Sequence, residues 1–138
     1  MLRTLGFAEA QRIVAAAVDD ARRLDVRISV AVADEAGSLL AFARMDGATR
    51  LSALTSTDKT RTVILTGVPT RDLGENLRGD MTEEPQLFHG MIARDLVHFG
   101  GGVPVFIAGH LAGAVAVSGA TSVQDHEIAG RAAASVSP

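Results

Sequence analysis

The chain holds one lysine, Lys59, beside twelve arginines, so a primary amine side chain stands at a single position. A buried lysine can lose its proton and act as a nucleophile, whereas a charged lysine can bind an anion. A solvated surface charge is the commonest state of lysine, and a codon preference for arginine is the plain explanation of the composition. We predict a ligand-binding role for Lys59 and, if the protein is an enzyme, a catalytic one.

Arg44 and Asp46 stand where a predicted hairpin ends. The planar guanidinium of Arg44 is suited to hold a carboxylate or a phosphate with paired hydrogen bonds. The alternative is an Arg44–Asp46 contact that only fixes the turn. We predict Arg44 as a ligand-binding residue, and Asp46 as an acid or base if the protein is an enzyme.

Three consecutive glycines, Gly100, Gly101 and Gly102, join two predicted strands. Such a run lets backbone N–H groups converge on an anion, and it also lets another chain approach closely. A tight bend or a bulge is the plain alternative. The run lacks the spacing of a nucleotide-binding glycine motif. We predict that these glycines contact the ligand.

Two histidines are candidate ligand-binding residues. His89 lies in a segment, 80–95, that has no clear periodicity, and loops often carry functional residues. His98 directly precedes the glycine run, where a partly buried strand histidine is the alternative. His89 is also the candidate acid or base of an enzyme. Glu83 and Glu84 lie close to His89 in sequence, but the spacing matches no established metal motif, and we predict no metal site.

The positions of apolar residues predict how these side chains are supported. Helices are expected where apolar residues recur every three to four positions, and strands where they alternate. Gly67 and Pro69 end the second helix, and Ser122 with Asp125 resembles a capping box. The helices are predicted at 5–24, 51–66, 71–78 and 122–135, and the strands at 27–33, 38–45, 96–99, 103–108 and 111–118. The strands form hairpins, so we expect one α/β domain, residues 1–138, with an antiparallel sheet.

The composition excludes several classes of protein. Apolar residues make up 47% and charged residues 21%, which predicts a folded chain. The net charge is −3 without a basic stripe, and Trp and Tyr are missing, so we expect no nucleic-acid partner. Glycines and a proline interrupt the uncharged stretch 99–121, so we expect a hairpin and no membrane partner. Because an amphipathic helix follows the first residues instead of an apolar leader, we expect a cytoplasmic protein.

Four segments together resemble one known family. They are VAVADEAGSLLAFARMDGA at 30–48, KTRTV at 59–63, GGVPV at 101–105 and GAVAVSGATSVQDHEIA at 113–129. This pattern resembles the GlcG/HbpS family, which includes HbpS-like haem-binding proteins and PduO C-terminal-like domains. The resemblance implies a profilin-like α/β sandwich, with a central five-stranded antiparallel sheet flanked by helices, assembled as a dimer or larger homo-oligomer.

The resemblance makes haem a possible cofactor. Some relatives are thought to hold haem iron with a histidine near the N-terminus, but this chain has no histidine before His89. An axial ligand would therefore come from His89, His98 or another group.

The leading interpretation is a small-ligand-binding protein of the GlcG/HbpS type, whose ligand is anionic: haem or a small carboxylate metabolite. The first alternative is a small isomerase, lyase or hydrolase acting on a carboxylate or carbonyl compound, with Lys59 and His89 in its site. The second alternative is a structural or partner-binding oligomeric module. Lys59 distinguishes them, because its removal abolishes turnover in an enzyme and only weakens anion binding in a binding protein.

Overall fold

A computed structural model describes residues 3–83 and 94–136 of the chain. The elements follow in the order helix, hairpin, two helices, hairpin and helix. They are α1 (Phe7–Arg23), β1 (Ser29–Asp34), β2 (Leu39–Arg44), α2 (Arg50–Thr66), α3 (Thr70–Glu83), β3 (Gly102–Ile107), β4 (His110–Ser118) and α4 (Ser122–Ala134). The predicted α/β class and the antiparallel sheet are confirmed.

The sheet has the strand order β2-β1-β4-β3, and every neighbouring pair is antiparallel. The expectation of five strands is wrong for the described residues, because 96–99 does not form a strand. Side chains of α2 bind the backbone in and just before this segment: Thr62 Oγ1 accepts the N–H of Val97, and Arg61 donates to the carbonyls of Arg94 and Asp95. A profilin-like arrangement stays a prediction.

The two faces of the sheet carry side chains of different size. Valines such as Val30, Val32 and Val115 form a core with the buried face of α1 and α4. The opposite face, which α2 covers, is made of small residues, since Ala31 pairs with Ala116 and Ser29 with Ser118. Close approach is possible there, and the hydroxyls of Ser29 and Ser52 are 2.8 Å apart.

The ends of α2 explain how it is held in place. The Thr49 side chain accepts the N–H of Ser52 at the N-terminus, and Gly67 adopts φ 74° at the C-terminus, a left-handed conformation that glycine tolerates. Between these ends, the helix presents Ser52, Ser56, Lys59 and Val63 to the interior. The lone lysine of the chain therefore points inward.

Candidate functional site

Lys59 is fully buried and bonded at its tip. Its Nζ donates to the carbonyl of Val117 at 2.8 Å and lies 3.5 Å from Oδ2 of Asp125. It also lies 5.1 Å from the centre of the Phe99 ring, which is within range of a cation–π contact. Asp125, in the first turn of α4, is buried as well, and its Oδ1 accepts the N–H of Ala120 at 3.0 Å.

The glycine run leaves the space that the Lys59 side chain occupies next to Asp125. Gly101 has φ 136°, and a Cβ at this position would collide with Lys59 Nζ and with the carbonyl of Val117. A Cβ at Gly102 would lie 3.1 Å from the carbonyl of Lys59. The N–H of Gly102 already donates to Thr70 Oγ1 at 3.0 Å, so it is not available to an anion. The structure thus gives Gly101 and Gly102 a packing role around Lys59.

Burial dominates the electrostatics of this pair. It lowers the pKa of Lys59, while the charge and hydrogen bond of Asp125 act in the opposite direction. Burial raises the pKa of Asp125, while Lys59 and the N–H groups of Ala120 and Gly119 oppose that rise. Both shifts favour the uncharged forms, because removing a charge from water is expensive unless a partner compensates fully.

A cleft of about 250 Å³ opens beyond Phe99, on the solvent side of the buried pair. Phe99 lines the cleft, and its ring centre lies 5.1 Å from Lys59 Nζ. Two of the predicted ligand-binding residues, His98 and Gly100, line it together with residues from α3 and from the start of α4. The complete lining is Arg71, Gly74, Glu75, His98, Phe99, Gly100, Ser122 and Val123.

His126 stands beside this cleft, with its Cβ 3.3 Å from where a Cβ on Gly100 would lie. Its Nδ1 is buried and has no hydrogen-bond partner among the described residues. Burial lowers the pKa of His126, and the charge of Arg71 lowers it further, against the opposing effect of Asp72, Glu127 and Glu75. The neutral imidazole is therefore favoured next to the cleft.

The other predicted residues do not join this cleft. Arg44 is exposed at the end of the edge strand β2, opposite Ser29. Asp46 lines a separate cleft of about 260 Å³ with Arg22, Arg27 and Met45. His89 lies outside the described residues. The structure thus brings Lys59, His98 and the glycine run together, and it places Arg44 and Asp46 elsewhere.

Sequence reasoning missed the main partners of Lys59. Asp125 is predicted there as a helix cap, but Thr121 and Gln124 form the capping box of α4, which frees Asp125 to bind Lys59. No local pattern links Asp125 to a lysine in another helix. The sequence signal that could have indicated burial is that Asp125 lies on the same face of α4 as the apolar Ile128.

A larger groove of about 550 Å³ lies between α1 and the edge strand β2. Its lining is mostly apolar, with Arg22 and Asp19 at the level of the last turns of α1. The residues are Phe7, Gln11, Val14, Ala15, Val18, Asp19, Arg22, Ala41 and Phe42. Among these lining residues there is no histidine, and the groove contains none of the predicted site residues.

Comparison with known proteins places this geometry among solved folds. A family model described as haem degrading protein HbpS-like matches residues 5–134. Protein GlcG of Escherichia coli K12 is 38% identical over 109 residues, which cover 79% of this chain and 77% of GlcG. None of the helices in the described ranges is both long and apolar enough to cross a membrane.

Two solved structures share the fold over nearly their whole length. The Klebsiella pneumoniae protein ORFY superposes with a TM-score of 0.88 at 28% identity, covering 97% of this chain and 91% of ORFY. The protein in a PduOC:heme complex superposes with a TM-score of 0.83 at 27% identity, covering 96% of this chain and 95% of that protein.

Proposed function

The chain belongs to the HbpS-like family, and on this premise we propose that it is a small-ligand-binding protein of the GlcG/HbpS type. The observation that carries the proposal is the cleft beside the buried Lys59–Asp125 pair. The cleft brings together the guanidinium of Arg71, the imidazole of His98 and the N-terminus of α4. Concave sites with a few convergent polar groups are typical of ligand pockets.

A small anion suits this cleft. Ser122 lines it at the first turn of α4, where the backbone N–H groups of a helix N-terminus carry partial positive charge. Arg71 lines it with a side chain that is half exposed, although its guanidinium also contacts Asp72 at 3.1 Å. Glu75 faces the same space and repels a bare anion. We therefore favour a small carboxylate that also carries a hydroxyl group able to donate to Glu75.

Haem fits the described residues less well. The cleft with His98 offers an axial ligand, but its volume of about 250 Å³ is below the roughly 300–1,000 Å³ of pockets that enclose drug-sized ligands. The groove along α1 is large and apolar enough for a porphyrin face, and Arg22 could pair with a propionate, yet its lining residues provide no histidine for the iron. Neither site supplies both the volume for a porphyrin and a histidine for the iron, so haem remains the alternative ligand.

The test is a pair of titrations. Haemin is followed by its Soret band, and lactate, malonate and acetate by calorimetry. We expect saturable carboxylate binding that Arg71→Met weakens at least about tenfold, because one charged hydrogen bond contributes roughly 1.5–3 kcal/mol. Arg12→Met, an exposed arginine of α1 outside the cleft, is the matched control and should bind like the wild type.

The outcomes separate the ligands. A saturable Soret shift that His98→Ala removes would replace the carboxylate with haem in the same cleft. A shift that His98→Ala leaves intact would move haem to another part of the chain. Lack of saturable binding of any probe would overturn the proposal and favour a structural or partner-binding module.

The second candidate is an enzyme, and the buried Lys59 is the observation that favours it. An amine whose pKa is lowered by burial, one aromatic ring behind an open cleft, is close to the condition of an activated lysine. Phe99 would have to move for a carbonyl compound to reach Nζ. In an enzyme of this kind Lys59→Met abolishes turnover while Arg71→Met raises KM, whereas a binding protein turns over nothing.

A further inference from the structure

The groove of about 550 Å³ between α1 and β2 has an apolar lining that the proposed function does not use. Along α1 the lining residues recur every three or four positions, from Phe7 through Val14 to Arg22, so one face of this helix borders the groove. Phe42 lines it from the edge strand β2. We call this surface the α1 groove.

The apolar side chains of the α1 groove remain accessible. Phe7 is 60% exposed and Phe42 is 40% exposed, although both carry large apolar rings. Val14 and Val18 pack against the core and also line the groove. A ligand that covers these side chains removes apolar area from water, so the groove favours an apolar ligand.

The α1 groove meets a second cleft of different character at one of its ends. This cleft of about 260 Å³, which we call the arginine cleft, is lined by Arg22, Arg27, Met45 and Asp46. Arg22 lines both surfaces, so the apolar groove and the arginine cleft join at this side chain. Two arginines and one aspartate in the lining leave an excess of positive charge, which is complementary to an anionic head group.

Both arginines of this cleft have hydrogen-bond donors to spare. The Nη1 atom of Arg22 lies 3.6 Å from Oδ1 of Asp19, which also lines the α1 groove. The Nη1 atom of Arg27 lies 3.7 Å from Oδ1 of Asp25. Both distances exceed a hydrogen bond, and neither guanidinium has another charged partner within residues 3–83 and 94–136. A ligand carboxylate could therefore accept paired hydrogen bonds from them.

We propose that the α1 groove and the arginine cleft together bind a free, unbranched fatty acid, with its tail along α1 and its carboxylate between Arg22 and Arg27. The apolar part of the groove, from Phe7 to Val18, extends roughly 16 Å at 1.5 Å per residue, which suits an extended acyl chain. This site goes beyond the proposed function, because it shares no lining residue with the cleft near Lys59.

Calorimetric titration with decanoate, kept below its micelle concentration, tests the site. We expect saturable binding of decanoate and at least about tenfold weaker binding of hexanoate, because each buried CH₂ group contributes up to roughly fourfold in affinity. Decyltrimethylammonium has the same tail with a positive head group. It should bind at least about tenfold more weakly than decanoate, because the two arginines repel it.

Matched variants assign the head and the tail. Arg22→Met should weaken decanoate binding at least about tenfold, because a hydrogen bond between charged groups is lost, whereas Arg12→Met, an exposed position of α1 outside both surfaces, should leave it unchanged. Ala15→Phe fills the groove and should weaken binding by a similar factor. Its control is Ala8→Phe, at an exposed alanine of α1 outside the groove. Circular dichroism checks that each variant keeps the fold.

The same variants separate this site from the cleft near Lys59. Arg71→Met should leave decanoate binding unchanged, and Arg22→Met should leave lactate binding unchanged, so each site can fail without the other. Lack of saturable decanoate binding would overturn the fatty-acid site. Equal affinities for decanoate and hexanoate, or for decanoate and decyltrimethylammonium, would overturn it as well, as would decanoate binding that Arg22→Met and Ala15→Phe both leave intact.

Discussion

Replacing Lys59 with methionine tests whether the buried pair is a coupled unit. The substitution keeps the length and much of the volume of the side chain but removes the ammonium group. Three contacts are lost: the hydrogen bond to the Val117 carbonyl, the 3.5 Å approach to Asp125 and the cation–π contact with Phe99. The Asp125 carboxylate is then left buried without its counter-charge.

The expected loss is about 3 kcal/mol. Removing one partner of a buried pair typically costs roughly 3–5 kcal/mol, because an uncompensated charge stays in the interior. Asp125 sits at the lower end of that range, because burial already raises its pKa and it can take up a proton, and its Oδ1 keeps the N–H of Ala120. Asp125→Asn alone should cost less than Lys59→Met, because Lys59 keeps its hydrogen bond to the Val117 carbonyl and burial already lowers its pKa.

A double-mutant cycle measured by urea unfolding isolates the pairwise contribution. With m-values unchanged, differences in midpoint report differences in the free energy of unfolding. We expect the combined variant Lys59→Met with Asp125→Asn to lose at least about 1 kcal/mol less than the sum of the single losses, as for residues in direct contact. A Lys59→Met loss below about 1 kcal/mol, or strict additivity, would refute the claim that the two groups stabilise each other.

Two further predictions concern packing and pH. Gly101→Ala should lower the free energy of unfolding by about 2 kcal/mol or more, because Gly101 has a positive φ and an added Cβ would collide with Lys59. The control Gly130→Ala lies in a helix with open space around it and should raise that free energy by roughly 0.5–1 kcal/mol. Thermal unfolding compares the two variants, and equal effects would contradict the close packing of Gly101 against Lys59. Burial raises the pKa of Asp20, but hydrogen bonds from Arg131 and Arg23 outweigh burial and hold that pKa below the ordinary 3.8. The ionised Asp20 therefore stabilises the folded state above pH 3.8, and this contribution is lost as pH falls through the folded-state pKa. Asp20→Asn should thus cost about 1 kcal/mol near neutral pH and progressively less in acid, and a pH-independent difference in unfolding would contradict the sign.

Local patterns predict most elements of this fold within a few residues. The first helix, expected at 5–24, occupies Phe7–Arg23, and the helix expected at 51–66 occupies Arg50–Thr66. The strand expected at 96–99 does not form: the N–H of Val97 donates to the Thr62 side chain of α2, and Arg61 of α2 binds the carbonyls of Arg94 and Asp95 just before the segment, so these partners lie more than thirty positions earlier in the chain. Propensity contains no information about such distant competitors.

The candidate site could likewise be predicted only where its residues are marked by composition or are adjacent in the chain. Composition alone singles out Lys59, and the sequence places His98 and the glycine run together because they are adjacent in the chain. Arg71, Glu75 and Ser122 reach the same cleft only because α3 and α4 pack against the glycine run. Arg44 has the right chemistry for an anion, but the topology leaves it on an edge strand.

The cost of burying Lys59 and Asp125 bears on what the pair is for. Replacing a buried ion pair by apolar residues of similar volume is often neutral or stabilising, so core stability alone does not require these charges. A variant with Lys59→Met and Asp125→Leu should therefore recover much of the stability that Lys59→Met loses. If it also binds carboxylates as the wild type does, the pair is only a structural element; if it is stable but no longer binds, the charges act on the cleft through Phe99, which contacts Lys59 and lines the cleft. Stability and binding measured on that one variant thus separate the two roles, which stability alone cannot.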